Sequence, residues 1–309
     1  MSPRSATTLL ALDWGTSSAR AYRLGRGGVV LSQREAPLGV MQVRAGEYPE
    51  ALRTLLGDWA DERVPRIAGG MIGSRQGWIE VPYADCPADA AALVPGIRTT
   101  PGDEMAIVPG LVCRDVGGVP DVMRGEEVQI IGAVGAGDAG VLAVLPGTHS
   151  KWVRVEAGRI LSFRTYMTGE LYAVLLQHSI LGRLAAPAGD GVAPHPVAFA
   201  DGVATGLASD DLTHAIFGAR TRCLLGELAP TDVGDWLSGV LIGYEIAAAR
   251  RWASVSVARG TPVHIIGSHA LVERYQVALA LADVHSIASD PEAAARGLYR
   301  VAQRAGMVQ

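Results

Sequence analysis

One arrangement occurs twice in this chain. Thr8-Leu-Leu-Ala-Leu-Asp13, an apolar run ending in a carboxylate, leads into Trp14-Gly-Thr-Ser-Ser18 and a second run, Ala19–Leu24. About 130 residues later the layout returns as Val141-Leu-Ala-Val-Leu145, Pro146-Gly-Thr-His-Ser150 and Lys151–Val155. Strand, polar turn, strand is the simplest reading of each. Each copy is extended by a further strand across a glycine turn: Val29–Arg34 after Gly27-Gly28, and Ile160–Thr165 after Gly158. Repetition of a whole strand-turn-strand unit points to two related α/β lobes. With 309 residues, 49% of them apolar, the chain has material for two medium cores. The boundary is expected after residue 124, giving segments 1–124 and 125–309.

Between the copies, Tyr48–Glu62 places Leu52, Leu55, Leu56 and Trp59 at helical spacing, and Arg66–Ile72 reads as a buried strand. Gly73–Pro120 is rich in glycine and proline and reads as loops. Glu126–Val134 can form a helix starting after Arg124-Gly125. Beyond the second copy the chain turns helical at Leu171–Leu184, Phe199–Phe217 and Asp232–Ser254. A last strand, Pro262–Ile266, enters Gly267-Ser268 and a helix over Ala270–Ala282, and Asp290-Pro291 starts a final helix to about Arg304.

Composition narrows the function classes. A net charge of −4 supplies no chain-wide basic field, so nonspecific nucleic-acid binding is disfavoured. Cys86, Cys113 and Cys223 are too few and too scattered for a disulfide framework or zinc ribbon, which fits a reducing cytoplasm. No stretch reads as a signal core or membrane span. Of 27 basic side chains all but Lys151 are arginine, so that lysine invites a local explanation.

Glycine- and hydroxyl-rich turns offer backbone N–H groups and Ser/Thr oxygens to phosphate. Either turn alone could close an ordinary hairpin; two facing each other could grip a triphosphate through Gly15, Thr16, Ser17, Gly147, Thr148 and Ser150. Asp13 is placed to hold Mg2+, through water, and Lys151 to supply a compact charge to phosphate.

These residues resemble the actin/hexokinase/Hsp70 superfold: Asp13-Trp-Gly-Thr-Ser17 its first phosphate motif, Leu145-Pro-Gly-Thr-His-Ser150 its second, Gly267-Ser268 its adenosine-contacting turn. Along nearly its whole length the chain is similar to the 2-dehydro-3-deoxygalactonokinases. The match is carried by Leu12–Ser17, Pro37-Leu-Gly-Val40, Gly70-Met-Ile-Gly-Ser-Arg-Gln-Gly-Trp78, Arg124-Gly-Glu-Glu127, Leu145–Trp152 and Thr165-Tyr-Met-Thr-Gly-Glu170. The resemblance implies a two-lobed ribonuclease H-like α/β fold in which each lobe is a mixed sheet flanked by helices. It also implies ATP and Mg2+ as cofactors, with ATP between the lobes and the sugar acid near the first. The implied reaction is transfer of the γ-phosphoryl group to the terminal hydroxyl of 2-dehydro-3-deoxy-D-galactonate, in D-galactonate breakdown.

Gly125-Glu-Glu-Val-Gln-Ile-Ile-Gly-Ala133 resembles the Gly-Asp-Gln-Gln helix start of glycerol and xylulose kinases, whose aspartate is the base, so Glu126 is the candidate base and Asp13 the second choice. Either glutamate could instead simply favour a helix N-terminus. For the substrate carboxylate an arginine fork is the natural partner: Arg75 first, with Arg124 and Arg164 in reserve, beside Ser74 and a stacking wall at Trp78. Thr168 and Glu170 receive no role from chemistry alone.

Two other readings stay open, a kinase of another sugar or of a gluconate-derived 2-keto-3-deoxy acid and a non-catalytic sugar or nucleotide sensor, while a third, a nicotinamide enzyme, is set aside. The last rests on Gly135-Ala-Gly-Asp-Ala-Gly140, which follows a helix and precedes a strand, the reverse of the dinucleotide-binding order. No metal site beyond nucleotide-bound Mg2+ is expected, and the oligomeric state, a homodimer included, is left open.

Overall fold

The computed structural model describes residues 6–102, 105–135, 140–186, 195–253 and 260–309. In the first stretch β1 (Leu9–Trp14), β2 (Ala19–Leu24) and β3 (Val30–Ala36) form an antiparallel meander. α1 (Tyr48–Leu56) leads to β4 (Arg66–Gly70), which lies parallel to β1. The order is completed by β5 (Tyr83–Asp85), α2 (Ala90–Leu93), β6 (Arg98–Thr99), β7 (Met105–Ile107), β8 (Gly110–Arg114), β9 (Pro120–Met123) and α3 (Glu126–Ala133). The main sheet runs β3-β2-β1-β4-β7-β6, and β5-β8-β9 form a small second sheet inside the region read from sequence as loops.

β1 is apolar at almost every position because both faces are covered. Leu10, Leu12 and Trp14 pack with Tyr48, Leu52, Leu55 and Trp59 in one core; a fully buried leucine contributes ~2 kcal/mol. Asp13 is the exception on the opposite face. α1 stops at Leu56, where Gly57 has φ 55°, and the rest of the expected helix tightens into a 3-10 turn, Gly57–Asp61.

The second stretch repeats the plan. β10 (Val141–Leu145), β11 (Ser150–Glu156) and β12 (Arg159–Tyr166) are followed by α4 (Thr168–His178), α5 (Pro196–Ala208), α6 (Leu212–Leu224) and α7 (Val233–Ala253). Then come β13 (Val263–Ile265), α8 (His269–Leu281), β14 (Ser286–Ala288) and α9 (Ala293–Arg304). The sheet order is β12-β11-β10-β13-β14, with β13 parallel to β10 and to β14. Both sheets thus share the order third, second, first, then a parallel strand, as the actin/hexokinase/Hsp70 superfold requires.

Two expected helices differ. Phe199–Phe217 is broken, because Asp211 accepts from His214 N and caps a new helix, α6. The Leu171–Leu184 helix starts earlier and ends at His178, where Ser179 Oγ bonds back to Leu175 O. The end of α7 at Ser254 and most of the Gly135–Gly140 loop lie outside the described residues.

The chain groups into two compact units: Met1–Ala139, Val155–Phe163 and Asp290–Gln309 in the first, Gly140–Arg154 and Arg164–Ser289 in the second. They are not consecutive segments divided after residue 124. α3 stays with the first unit because α9 returns to it, and the two helices cross at glycine. A Cβ on Gly132 would lie 1.8 Å from Ala293 O, and one on Gly297 1.7 Å from Val128 O. α5 and α7 cross the same way in the second unit, where a Cβ on Gly202 would meet Trp236 O at 2.1 Å. Among the described residues no helix is long and apolar enough to cross a membrane.

Candidate active site

In the first unit, register sets a row of side chains across the sheet: Gly69 on β4, Asp13 on β1, Arg20 on β2 and Glu35 on β3. Arg20 Nε is 3.0 Å from Glu35 Oε2, so that guanidinium is already engaged beside Asp13. Gly69 carries no side chain, which leaves room above it for Val128 and Leu298. α3 thereby comes close enough for Gln129 Nε2 to reach Asp13 Oδ2 at 3.5 Å. Burial pushes the Asp13 carboxyl up to about 6 although Arg20 and Gln129 pull it down, and Glu126 is near enough to push it up further.

The start of α3 is held by its own acids. Glu126 Oε2 accepts from Arg124 N at 2.9 Å and Glu127 Oε2 from Gly125 N at 2.7 Å. Glu127 is fully buried, its other oxygen has no partner, and burial, reinforced by Glu126, pushes it up to about 8. Gly125, at φ 108°, brings this start against Gly70: a Cβ there would be 3.1 Å from Gly70 Cα. Asp13, Glu126 and Gln129 therefore share the region where β1, β4 and α3 meet, with Glu126 half-buried and Glu127 sealed.

The first turn is exposed at Thr16 and Ser17, and Gly15 N donates to Ser18 O at 2.9 Å. The segment after β3 braces it. Val40 N donates to Gly15 O, Met41 N to Thr16 O, and Trp14 Nε1 to Leu38 O. A Cβ on Gly39 would lie 2.2 Å from Thr16 O, which explains the glycine of the Pro37–Val40 motif.

The Gly70–Trp78 loop separates its candidate residues. Arg75 is exposed and 3.6 Å from Glu80. Arg124 is buried, donates to Val81 O at 2.7 Å and stacks 4.3 Å from the Tyr83 ring centre, while its Nε and Nη1 lack partners. Ser74 is buried with an unpartnered hydroxyl. Trp78 stacks on Tyr48 at 5.9 Å and leans on the core.

In the second unit, Gly147, Thr148 and His149 form the turn, with Thr148 and His149 exposed. α4 braces it: Glu170 N donates to Thr148 O, His149 Nε2 lies 2.5 Å from Glu170 Oε2, and a Cβ on Gly169 would be 2.5 Å from Gly147 O. Lys151 is buried, and its Nζ donates to Thr165 Oγ1 at 2.7 Å. Ser150, counted among the phosphate ligands by residue type, turns inward: its hydroxyl donates to Glu245 Oε1 at 2.7 Å and is fully covered. Gly267 and Ser268 are exposed at the end of β13, and a Cβ on Gly267 would touch Pro146 at 3.6 Å. The second turn and the Gly267-Ser268 turn are thus neighbours. Beside the second turn lies a cavity of about 260 Å3, bordered by Gly147, Thr168 and Gly169, by Ser238 and Leu241 of α7, and by Arg274 and Tyr275 of α8.

The model of the 2-keto-3-deoxy-galactonokinase family matches residues 13–301. The chain belongs to that family. It is 35% identical to the 2-dehydro-3-deoxygalactonokinase of Escherichia coli strain K12 over 283 residues, 91% of this chain and 93% of the relative. A solved structure of a Sinorhizobium meliloti protein, itself a candidate 2-dehydro-3-deoxygalactonokinase, superposes with a TM-score of 0.82 at 35% identity, covering 96% of this chain and 98% of that one. Component A of the (R)-2-hydroxyglutaryl-CoA dehydratase of Acidaminococcus fermentans, 13% identical, shares the fold at a TM-score of 0.51, covering 96% of both chains.

In this chain of the 2-keto-3-deoxy-galactonokinase family, residue-type reasoning misses Gln129 and Glu245. Gln129 stands three residues after Glu126, hence on the same helix face, and Glu245 is a single acid inside the apolar Leu241–Ala249 stretch. Both signals are present in the sequence but acquire meaning only through what faces them.

Proposed function

We propose that this chain transfers the γ-phosphoryl group of ATP to the terminal, C6 hydroxyl of 2-keto-3-deoxygalactonate, as a cytoplasmic enzyme of D-galactonate breakdown. The observation that carries the proposal is the meeting of Asp13, Glu126 and Gln129 at one end of β1 in a chain of this family. Phosphoryl transfer needs alignment and charge neutralisation, together with a group to accept the hydroxyl proton.

Glu126 is the group assigned to that proton, held at the start of α3 and less buried than Glu127. Glu127, pushed to about 8, is protonated at neutral pH and shapes the helix start instead. Asp13 and Glu126 are hard oxygen donors, and among the described residues no cluster of three or more metal-ligating side chains exists. That donor set fits Mg2+, which commonly takes one or two carboxylates and completes its shell with phosphate and water. Mg2+ would supply charge neutralisation at the phosphates, while Gln129 orients the Asp13 carboxylate.

The cavity beside Gly147 and α8 is assigned to the nucleoside, with the backbone of the second turn and Lys151 serving phosphate. The sugar acid's carboxylate is assigned to Arg75, whose exposed guanidinium can be recruited from Glu80 at little cost. Arg124, held from below by Val81 O and Tyr83, fixes the loop that carries it.

A coupled ADP-release assay over a panel of sugars and 2-keto-3-deoxy acids tests this reading. Turnover should be highest with the galactonate-derived acid. Equal or greater kcat/KM with the gluconate-derived acid would reassign the substrate, and absence of ATP turnover with every acid would leave only a sensor.

A further inference from the structure

Glu245 takes no part in the reaction as assigned above. It lies inside α7, 1% exposed, and its carboxylate accepts four hydrogen bonds. Ser150 Oγ and Trp152 Nε1 donate to Oε1 at 2.7 and 2.6 Å; Thr168 Oγ1 and, at 2.9 Å, Tyr275 OH donate to Oε2. The donors come from three separate elements. Ser150 and Trp152 open β11 directly after the second turn, Thr168 is the first residue of α4, and Tyr275 is on α8.

Thr168 and Tyr275 also border the 260 Å3 cavity, and Gly147 of the turn borders it too. Glu245 does not border it. A buried carboxylate costs several kcal/mol in lost solvation, and apolar packing would fill the same space more cheaply. What the acid adds is direction: four donors are aimed at one point, which fixes the separation of the α4 start, α8 and the strand leaving the turn.

We propose that Glu245 is a positioning residue for the nucleotide cavity, setting nucleotide affinity through the walls it holds without touching the ligand. This rests on the reading of that cavity as the nucleoside site. It also gives a role to Thr165–Glu170, because Thr168 ties α4 to Glu245 while Gly169 and Glu170 tie it to the turn.

The experiment measures ADP binding by calorimetry without Mg2+, together with both KM values and the thermal midpoint of the unliganded protein. Glu245→Ala should weaken ADP binding about tenfold, ~1.4 kcal/mol, while KM for the sugar acid stays within about twofold. In Glu245→Gln the amide oxygen can take the Ser150 and Trp152 donors, while the Thr168 and Tyr275 hydroxyls turn to accept from the amide nitrogen. Its ADP affinity should therefore return to within about threefold of the parent. Trp152→Phe, which removes one donor far from the ligand, should cost about threefold in ADP affinity.

A folded Glu245→Ala that binds ADP like the parent, with only a lowered thermal midpoint, would overturn the proposal. If Glu245→Ala does not fold, Trp152→Phe decides: unchanged ADP affinity overturns the proposal and the threefold loss sustains it. A cavity-filling Leu241→Trp separates the two levels. If it leaves ADP binding intact, the cavity is not the nucleoside site; if it blocks binding while the Glu245 and Trp152 variants bind normally, only the positioning role fails.

Discussion

The two glycine-hydroxyl turns occupy the same place in their sheets, yet different parts brace them and opposite charges flank them. Behind Gly15–Ser17 lies an irregular segment, Leu38–Met41, joined to the turn by backbone hydrogen bonds. Behind Gly147–His149 lies the start of a helix, held through Glu170, Gly169 and the buried Glu245. The first turn is entered from a carboxylate, Asp13, with Glu126 and Gln129 close by; the second is left through the chain's one lysine. A shared strand-turn-strand scaffold can therefore be specialised by a few side chains: one copy gathers acids and the other hydrogen-bond donors, and the proposed function gives the first the cation and proton work and the second the anion.

The buried acids sharpen the contrast. Glu127 has only backbone donors, Gly125 N and its own N–H, and one oxygen without a side-chain or backbone partner, and burial, reinforced by Glu126, carries it to about 8. Glu245 is as deeply buried and is also pushed upward by burial, but four donors oppose the shift. Burial raises both acids; four side-chain donors oppose it at Glu245, whereas at Glu127 two backbone N–H groups and Arg124 oppose it and Glu126 adds to it.

The largest expected break is at Asp13. Asp13→Asn should lower kcat/KM by about a thousandfold, with folding intact, since charge neutralisation at phosphate is the dominant demand of this chemistry. In the parent, kcat/KM should fall as pH drops below about 6, where Asp13 takes up its proton, and steady-state rates across pH would show the limb. Next in size, Glu126→Gln should slow kcat by about 100-fold while leaving both KM values near the parent's. Full activity in that variant would remove Glu126 from the role of base.

A smaller effect is expected at Glu127. The folded chain keeps this proton to about pH 8, whereas an ordinary glutamate releases it near 4.5, so the folded state binds more protons in between. Its contribution to stability is therefore complete at low pH and lost as pH rises through 8. Denaturant unfolding between pH 6 and about 8.5 should show stability falling in the parent and a flatter profile in Glu127→Gln.

Both turns, Asp13, Lys151 and the start of α3 are legible in the sequence because each is declared within a few residues. What depends on contacts between distant segments is not. Ser150 carries the right hydroxyl for phosphate, but alternation along β11 sends Ser150 and Trp152 to one side and Lys151 to the other. Arg75 and Arg124 are indistinguishable by type, and only burial separates them. The strands of the small sheet, three to five residues each, are hidden among prolines and glycines because so short a strand has too little period to be read. The units mix early and late segments because α9 fits α3 at glycine positions whose spacing means nothing until the helices cross.

The division of labour between the turns is tested most directly by ADP binding to the parent, Asp13→Asn and Lys151→Ala, each measured with and without Mg2+. The account predicts that Lys151→Ala loses about tenfold in affinity under both conditions, whereas Asp13→Asn binds like the parent without Mg2+ and loses only the increment that Mg2+ adds. Loss of Mg2+-free affinity in Asp13→Asn equal to that in Lys151→Ala would contradict it.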